Sequence, residues 1–550
     1  MRLSTEAAHW SVGWRPWVLL ALLCIALYSP GIASIPPLDR DEARFAQATR
    51  QMLETGDFVR IRFQDESRNK KPVGIHWLQA TSVSLLSTAE ATALWPYRLP
   101  SLLGATAAVL LLFGFGRNLV GAEAALLGAA LLASSLILVV EAHLAKTDAV
   151  LLACVVAAQV ALAETWRRAR AGDRVPARIA ATFWVAQGIG ALVKGPIPAL
   201  VAALTMAALA ASGREWRWLR ALRWHWGVPL TLAILLPWLV AIQLATGGAF
   251  LADAVGNDML GKVAGAQEAH GAPPGTYLAL VFITFWPGSL LLLPAGVFAW
   301  RQRADTAVRF LLAWAVPAWL LLELVPTKLP HYVLPLYPAL ALLVGRAIVL
   351  DVKPPKAASI VGFIIWAAVS LALAAGIFAA PMMLGPHAPG SLAAALIPSA
   401  AILAMLVLSL RRSFDPAPID ALRCALLAVL VFVPVFAAVL PHLDRMWLSR
   451  GAARLVADAA NQRGAPVDSV GFTEPSLVFL LGTATRFVSA DEAAADVAGG
   501  RLALIGSLDQ EAFERSTSAR GIVPRPLGRV EGINYSNGRR MALTLYGGPG

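Results

Sequence analysis

The chain has 550 residues, of which 58% are hydrophobic and only 15% charged, so a water-soluble globule of this size would lack the polar material to coat itself and a bilayer must supply the missing solvent. The formal charge of +12 does not point to nucleic acid, because the basic residues are spread over many short breaks instead of one basic domain. Cys24, Cys154 and Cys424 all fall in apolar stretches, which implies core thiols and no disulfide framework.

Apolar stretches close to the roughly 20 residues that cross a hydrocarbon core recur at about 16–34, 98–116, 119–140, 149–165, 178–193, 196–212, 227–246, 276–299, 307–325, 330–350, 357–378, 391–410 and 420–440. The sequence thus predicts about thirteen transmembrane helices. The first could be read as a signal peptide ending near Ala33-Ser34, but its length and the many spans that follow favour a retained helix. Arginines and lysines collect in alternate breaks, for example Arg167, Arg168, Arg170 and Arg174, then Arg214, Arg217, Arg220 and Arg223, then Arg301, Arg303 and Arg309. The positive-inside rule makes these breaks and the amino terminus cytoplasmic, and an odd number of spans leaves the carboxyl terminus outside.

Two long breaks then fall on the external side, at 35–97 and 247–275. The first opens with Asp39-Arg40-Asp41-Glu42-Ala43-Arg44-Phe45, and the apolar spacing from Asp41 onward predicts an amphipathic helix lying at the interface, with Asp41 at its amino end. A capped surface helix is the plainer reading of this segment. A carboxylate held just above the bilayer is also what a membrane glycosyltransferase needs, to accept a proton from a sugar hydroxyl or to balance charge at the anomeric carbon.

The same loop continues through Arg68-Asn69-Lys70-Lys71-Pro72 to Trp77-Leu78-Gln79. These cations suit either anchoring to anionic lipid or a clamp on a lipid-carrier phosphate. Lys194, Lys262 and Lys328 also fall outside, against the positive-inside bias, and tilt the choice toward a phosphate clamp. Asp148 lies just before the fourth span, where a carboxylate is costly unless paired. It is either a structural partner of Lys146, Arg40 or Arg44, or a second acidic residue beside Asp41. His76, His143, His270 and His331 mark the same external edge. A metal site built from them is an open alternative, yet no His-Glu-x-x-His or close ligand pair is present, and hydrogen-bonding roles are favoured.

After about residue 442 the apolar runs stop. β-like runs at 502–505 and 541–545 alternate with helix-like stretches at 491–497 and 510–515, and Asn537-Gly538 is a hairpin signal. The expected organisation is an all-α polytopic membrane domain over residues 1–441, followed by a small α/β domain over 442–550 on the external side of the membrane.

The Asp39–Phe45 opening, Lys71-Pro72 before Trp77-Leu78-Gln79, Lys194-Gly195-Pro196 and above all Thr327-Lys328-Leu329-Pro330-His331-Tyr332-Val333-Leu334-Pro335-Leu336-Tyr337-Pro338 resemble the bacterial aminoarabinose lipid A transferase family, within the GT-C class that also holds protein O-mannosyltransferases. The resemblance covers about residues 16–350. It implies inverting transfer of a sugar from undecaprenyl phosphate to lipid A or the lipopolysaccharide core. By motif it implies Asp41 as the catalytic carboxylate and Asp148 as a second acidic residue. Arg44 and Lys71 are similar to carrier-phosphate ligands and Tyr337 to a site-lining tyrosine. Lys70, Lys194, His270, Lys328 and His331 complete the expected substrate-binding set. Where the family reads Tyr-Phe-Glu-Lys-Pro, this chain reads Arg68-Asn69-Lys70-Lys71-Pro72. The glutamate that a family metal site would use is therefore missing, no cofactor is required by the reading, and the sugar stays open between an aminosugar and an anionic uronic acid. A protein O-mannosyltransferase and a transporter or flippase are the rival expectations. A transporter would place charges near the bilayer midplane, whereas here Glu323 is the carboxylate expected well within a span.

Overall fold

The computed structural model describes residues 11–261, 271–350, 353, 355–385, 389–410, 418–460 and 466–549. A helix or a broken pair of helices stands at each predicted apolar stretch. Among the described residues, eight helices are long and apolar enough to cross a membrane, or nine if one bent pair counts as a span, and three shorter apolar helices accompany them. The protein is thus a multi-pass membrane protein, with fewer full-length spans among the described residues than the sequence suggested.

Two stretches expected to be single spans are broken. Between Ala122–Ala133 and Leu136–Ala142 the chain turns by 61°. Ser134 and Ser135 cause this by bonding their hydroxyls back to the carbonyls of Ala130 and Leu132, at 3.0 and 2.7 Å, while the Leu136 amide leaves the helix for the Trp286 carbonyl. The second break separates Thr276–Thr284 from the Gly288–Arg301 segment. Close helix contact is set by small residues: a Cβ on Gly345 would meet the Ala124 carbonyl oxygen at 2.2 Å, and one on Gly128 would meet that of Ala341 at 2.8 Å. This contact fixes the Pro330–Val349 segment, whose amino end carries His331.

The Asp41–Thr55 helix departs from expectation. It does not lie open on the interface: every residue from Glu42 to Met52 except Arg44 is buried. Its outer face is covered by the carboxyl-terminal domain. In the external loop β1 (Arg62–Phe63) pairs with β2 (Glu66–Ser67); in the carboxyl-terminal domain β3 (Val467–Val470) pairs in parallel with β4 (Arg486–Phe487) and β5 (Leu502–Gly506), and β7 (Arg539–Pro549) adds antiparallel between β5 and β6 (Pro524–Asn534). Helices Ala490–Ala498 and Gln510–Ala519 fall where the sequence suggested, the first held by a Ser489–Glu492 capping box.

The predicted hairpin forms between β6 and β7. Asn534 pairs with Arg539, so Tyr535, Ser536, Asn537 and Gly538 make a four-residue tip, with Gly538 at φ 75°. The domain docks by inserting Phe479, fully buried, into a cluster with Ala46, Val83, Leu94, Tyr97 and Ala145. The Tyr97 and Phe479 rings meet edge to face at 5.4 Å. Arg50 donates to the Phe479 carbonyl at 3.0 Å, and Gln47 to the Thr483 hydroxyl at 2.8 Å.

Candidate active site

Each residue of the Asp39–Glu42 run is held differently. Glu42 and Arg98 form a fully buried bidentate pair at 2.8 and 2.9 Å. The remaining capacity of the pair is filled by protein: the Leu38 and Ala145 amides donate to Glu42, and Arg98 donates to the carbonyls of Ile32, Ile35 and Pro36. Arg40 adopts φ 66° and ψ −107°, a conformation that a residue with a Cβ rarely takes. Asp39 faces the carboxyl-terminal domain, where the Ser476 amide donates to its carboxylate. Burial, with Glu474 adding repulsion, pushes the Asp39 carboxyl up to about 6.

Asp41 alone of the four opens into a cavity of about 1190 Å³, lined also by Arg44, Arg68, Lys70, Lys71, Lys146, Asp148, Lys194 and His331. Its nearest ion pair is Arg68, at 3.6 Å, and Arg68 in turn lies 4.9 Å above the Phe45 ring. Desolvation by the cavity walls raises the Asp41 pKa, but the charges of Lys146, Arg68 and His331 outweigh it and leave the carboxyl below its ordinary value.

Behind Asp41 lies a second layer of paired charges. Lys146 donates to Glu141 at 3.1 Å, and Lys194 donates to Asp148. His331 sits between the two carboxylates, 3.6 Å from Glu141 and 3.9 Å from Asp148. The partners expected from sequence for Asp148 are corrected: its bonded cation is Lys194, while Lys146 pairs with Glu141, which the bend at Ser134-Ser135 delivers to the site. Lys146 is buried, and despite that desolvation the neighbouring Glu141, Asp148 and Asp41 hold its pKa well above the usual lysine range.

The structure brings Asp41, Asp148, Arg44, Lys70, Lys71, Lys194 and His331 to one cavity. Two expected residues are not brought there. Lys328 spends its ammonium on the carbonyls of Ala272 and Val325, at 3.0 and 2.6 Å, and so pins a turn. Tyr337 is buried in the core, its hydroxyl bonded to Thr284 and its ring stacked on Trp319. His270 lies outside the described residues. Of the other edge histidines, His76 is buried against Thr49 and His143 bridges the carbonyls of Val139 and Pro30. Glu323 is a cap, accepting from the Gly275 and Leu278 amides at 2.9 Å each.

Arg68, from the cationic run read as a phosphate clamp, and Lys146 line the same cavity, and Glu141 stands behind Lys146. The far wall of the cavity, which includes Thr483, Thr485, Arg486 and Arg501, was hidden from the sequence, because only tertiary contact puts that domain there.

Glu141, Asp148 and His331 could in principle offer three ligand atoms to a metal, all within 4.8 Å of one another. As arranged they do not suit one, since both carboxylates already hold lysine ammonium groups that a divalent cation would have to displace.

Residues 70–240 match the family described as dolichyl-phosphate-mannose-protein mannosyltransferase. An undecaprenyl phosphate-alpha-4-amino-4-deoxy-L-arabinose arabinosyl transferase of Pseudomonas fluorescens is 31% identical over 345 residues, covering 61% of this chain and 60% of the relative. A counterpart from Pseudomonas aeruginosa is 29% identical over 343 residues, with the same coverage. The chain therefore spans about three-fifths of the length of these curated relatives. In fold, ArnT from Cupriavidus metallidurans bound to undecaprenyl phosphate superposes with a TM-score of 0.70 at 19% identity, over 96% of this chain and 98% of that one. An archaeal oligosaccharyltransferase, AglB from Archaeoglobus fulgidus, reaches 0.52 at 12% identity, over 92% of this chain and 70% of that one. The chain is thus similar to these transferases along about three-fifths of its length and shares the fold of ArnT along almost all of it.

Proposed function

We propose that the protein is an inverting glycosyltransferase that moves a sugar from undecaprenyl phosphate to lipid A or the lipopolysaccharide core. It would act on the periplasmic side of the bacterial inner membrane, with the amino terminus in the cytoplasm and the domain at 442–550 in the periplasm. The observation that carries this reading is the single cavity in which Asp41 stands among Arg44, Arg68, Lys70, Lys71 and Lys146. A carboxylate beside several cations suits an anionic leaving group opposite a base, and Asp148 in the same cavity is already paired with Lys194.

In the proposed reaction an acceptor oxygen attacks the anomeric carbon from the face opposite the carrier. The bond from that carbon to the phosphate oxygen breaks, and its electron pair goes to the phosphate, which changes from a singly charged diester to a monoester dianion. Cations aimed at the phosphate stabilise the charge it gains. Where the acceptor is a hydroxyl, its proton passes to Asp41, whose lowered pKa keeps it ionised at neutral pH. Lys194, His331, Glu141 and Lys146 hold Asp148 and the cavity floor, and no step calls for a metal or other cofactor.

Mass spectrometry of lipid A and core from cells with and without the gene tests this reading: a sugar-sized mass lost with the gene is expected. The family match over residues 70–240 favours one second reading, a protein O-mannosyltransferase-like enzyme. It predicts unchanged lipid A and core together with a lost glycoprotein. The transporter reading loses its support, because Glu323 is consumed in capping backbone amides.

A further inference from the structure

The tip of the β6–β7 hairpin ends on the peptide that carries Asp41. The Asp39 amide donates to the Tyr535 hydroxyl oxygen at 2.7 Å, and the Arg40 guanidinium donates to the Ser536 carbonyl at 2.6 Å. The tip is itself braced: Glu474 accepts from Asn534 at 2.9 Å and from the Ser536 hydroxyl at 3.1 Å. Tyr535 packs against the membrane core, its ring 6.1 Å from that of Trp447. These contacts join residues almost 500 positions apart in the chain.

Arg40, which makes the second of these contacts, stands between the Asp39 amide held by Tyr535 and Asp41 itself, at φ 66° and ψ −107°. An arginine does not settle there unaided. On the other side of Asp41, Glu42 is locked to Arg98 within the membrane domain. Asp41 is therefore held between two anchors, one internal and one lent by the carboxyl-terminal domain. Without the second anchor the peptide at Arg40 is free to relax to negative φ, and the carboxylate turns away from Arg68 and Lys146.

We propose that the carboxyl-terminal domain is a positioning element for Asp41, and that Tyr535 is the positioning residue through which it acts. This rests on the reading of Asp41 as the catalytic carboxylate. The domain's attachment does not depend on this hydroxyl, since Phe479 and its neighbours dock it separately, so the proposal can be tested without undocking the domain.

The test uses the full-length protein in lipid nanodiscs. The donors are undecaprenyl phosphate-linked 4-amino-4-deoxy-L-arabinose and its uronic acid counterpart, lipid A is the acceptor, and undecaprenyl phosphate is the binding probe. Tyr535→Phe should lower kcat about ten- to a hundredfold, the scale of a misplaced reacting group, with donor KM and undecaprenyl phosphate affinity changed by less than about twofold. A purely structural role for Tyr535 would instead raise donor KM and weaken undecaprenyl phosphate binding along with kcat. Wild-type kcat in Tyr535→Phe, or a loss of kcat matched by equal losses in donor KM and carrier affinity, overturns the proposal. Asp41→Asn in the same assay separates the two ideas. If it turns over normally, the catalytic reading itself falls, whereas an inactive Asp41→Asn beside a fully active Tyr535→Phe overturns only the positioning role.

Discussion

Asp41→Asn keeps the size of the side chain while removing its charge and most of its basicity, and the surroundings of Asp41 set what that change should do. The carboxylate keeps 51% of its side-chain area exposed to the cavity, and its ion pair with Arg68 is a loose 3.6 Å contact. Pairs of this kind are worth about 0–1 kcal/mol to stability, so the variant should fold and still bind carrier. General base catalysis is typically worth about a hundred- to ten-thousandfold, or roughly 3–5 kcal/mol of barrier. The catalytic loss should therefore far exceed any loss of stability. Single-turnover transfer by purified Asp41→Asn protein, preloaded with lipid-linked sugar, measures it. An acceptor hydroxyl predicts a loss of the full order. With a phosphate acceptor, already an anion, a large loss would assign Asp41 to orienting the donor or to stabilising positive charge on the sugar ring. Because the Asp41 pKa is lowered, its base form persists on mild acidification. The rate limb due to Asp41 should appear only at pH values below the ordinary carboxylate range. Near wild-type single-turnover rates from folded, carrier-binding Asp41→Asn would refute the assignment and move suspicion to Asp148.

Lys71→Ala should weaken undecaprenyl phosphate binding or turnover about ten- to a hundredfold, the worth of one charge-assisted contact, while Lys356→Ala on the opposite side of the membrane should leave both unchanged; equal behaviour of the two would leave only lipid anchoring. Glu42→Gln strands the buried Arg98 charge and should cost about 3–5 kcal/mol, read as a large fall in the temperature of half-inactivation in detergent. Glu511→Gln is the control, since its pair with Arg515 is 84% and 73% exposed and should shift that temperature little. For topology, a cysteine replacing exposed Ser518 should react with a membrane-impermeant thiol reagent in intact spheroplasts, and one replacing Gly172 should not. Reversed labelling would take away the external location of the site.

The apolar stretches, their alternating basic breaks, the hairpin signal at Asn537-Gly538 and the amino end of the helix at Asp41 were all legible in the sequence, because each depends on local composition or on residues a few positions apart. Composition also required a membrane, since no folding arrangement could hide so much apolar surface from water. The motif residues Asp41, Arg44, Lys70, Lys71, Asp148, Lys194 and His331 were picked out the same way. What each does to its neighbours was not. Asp39, Asp41 and Glu42 are three carboxylates within four residues, and only packing decides that one faces a domain, one a cavity and one a buried arginine. Lys328 and Tyr337 belong to the most conspicuous motif in the chain, yet one ends on backbone carbonyls and the other in the core. A motif records which residues occur together, whereas the direction of a side chain is set by the helix beneath it and the atoms across from it. Glu141 reached the site because two serines bend a helix by 61°, and the carboxyl-terminal wall reached it because Phe479 found a hole in the membrane domain. Such long-range contacts carry no periodicity in one dimension, so tertiary structure alone decided which charges meet.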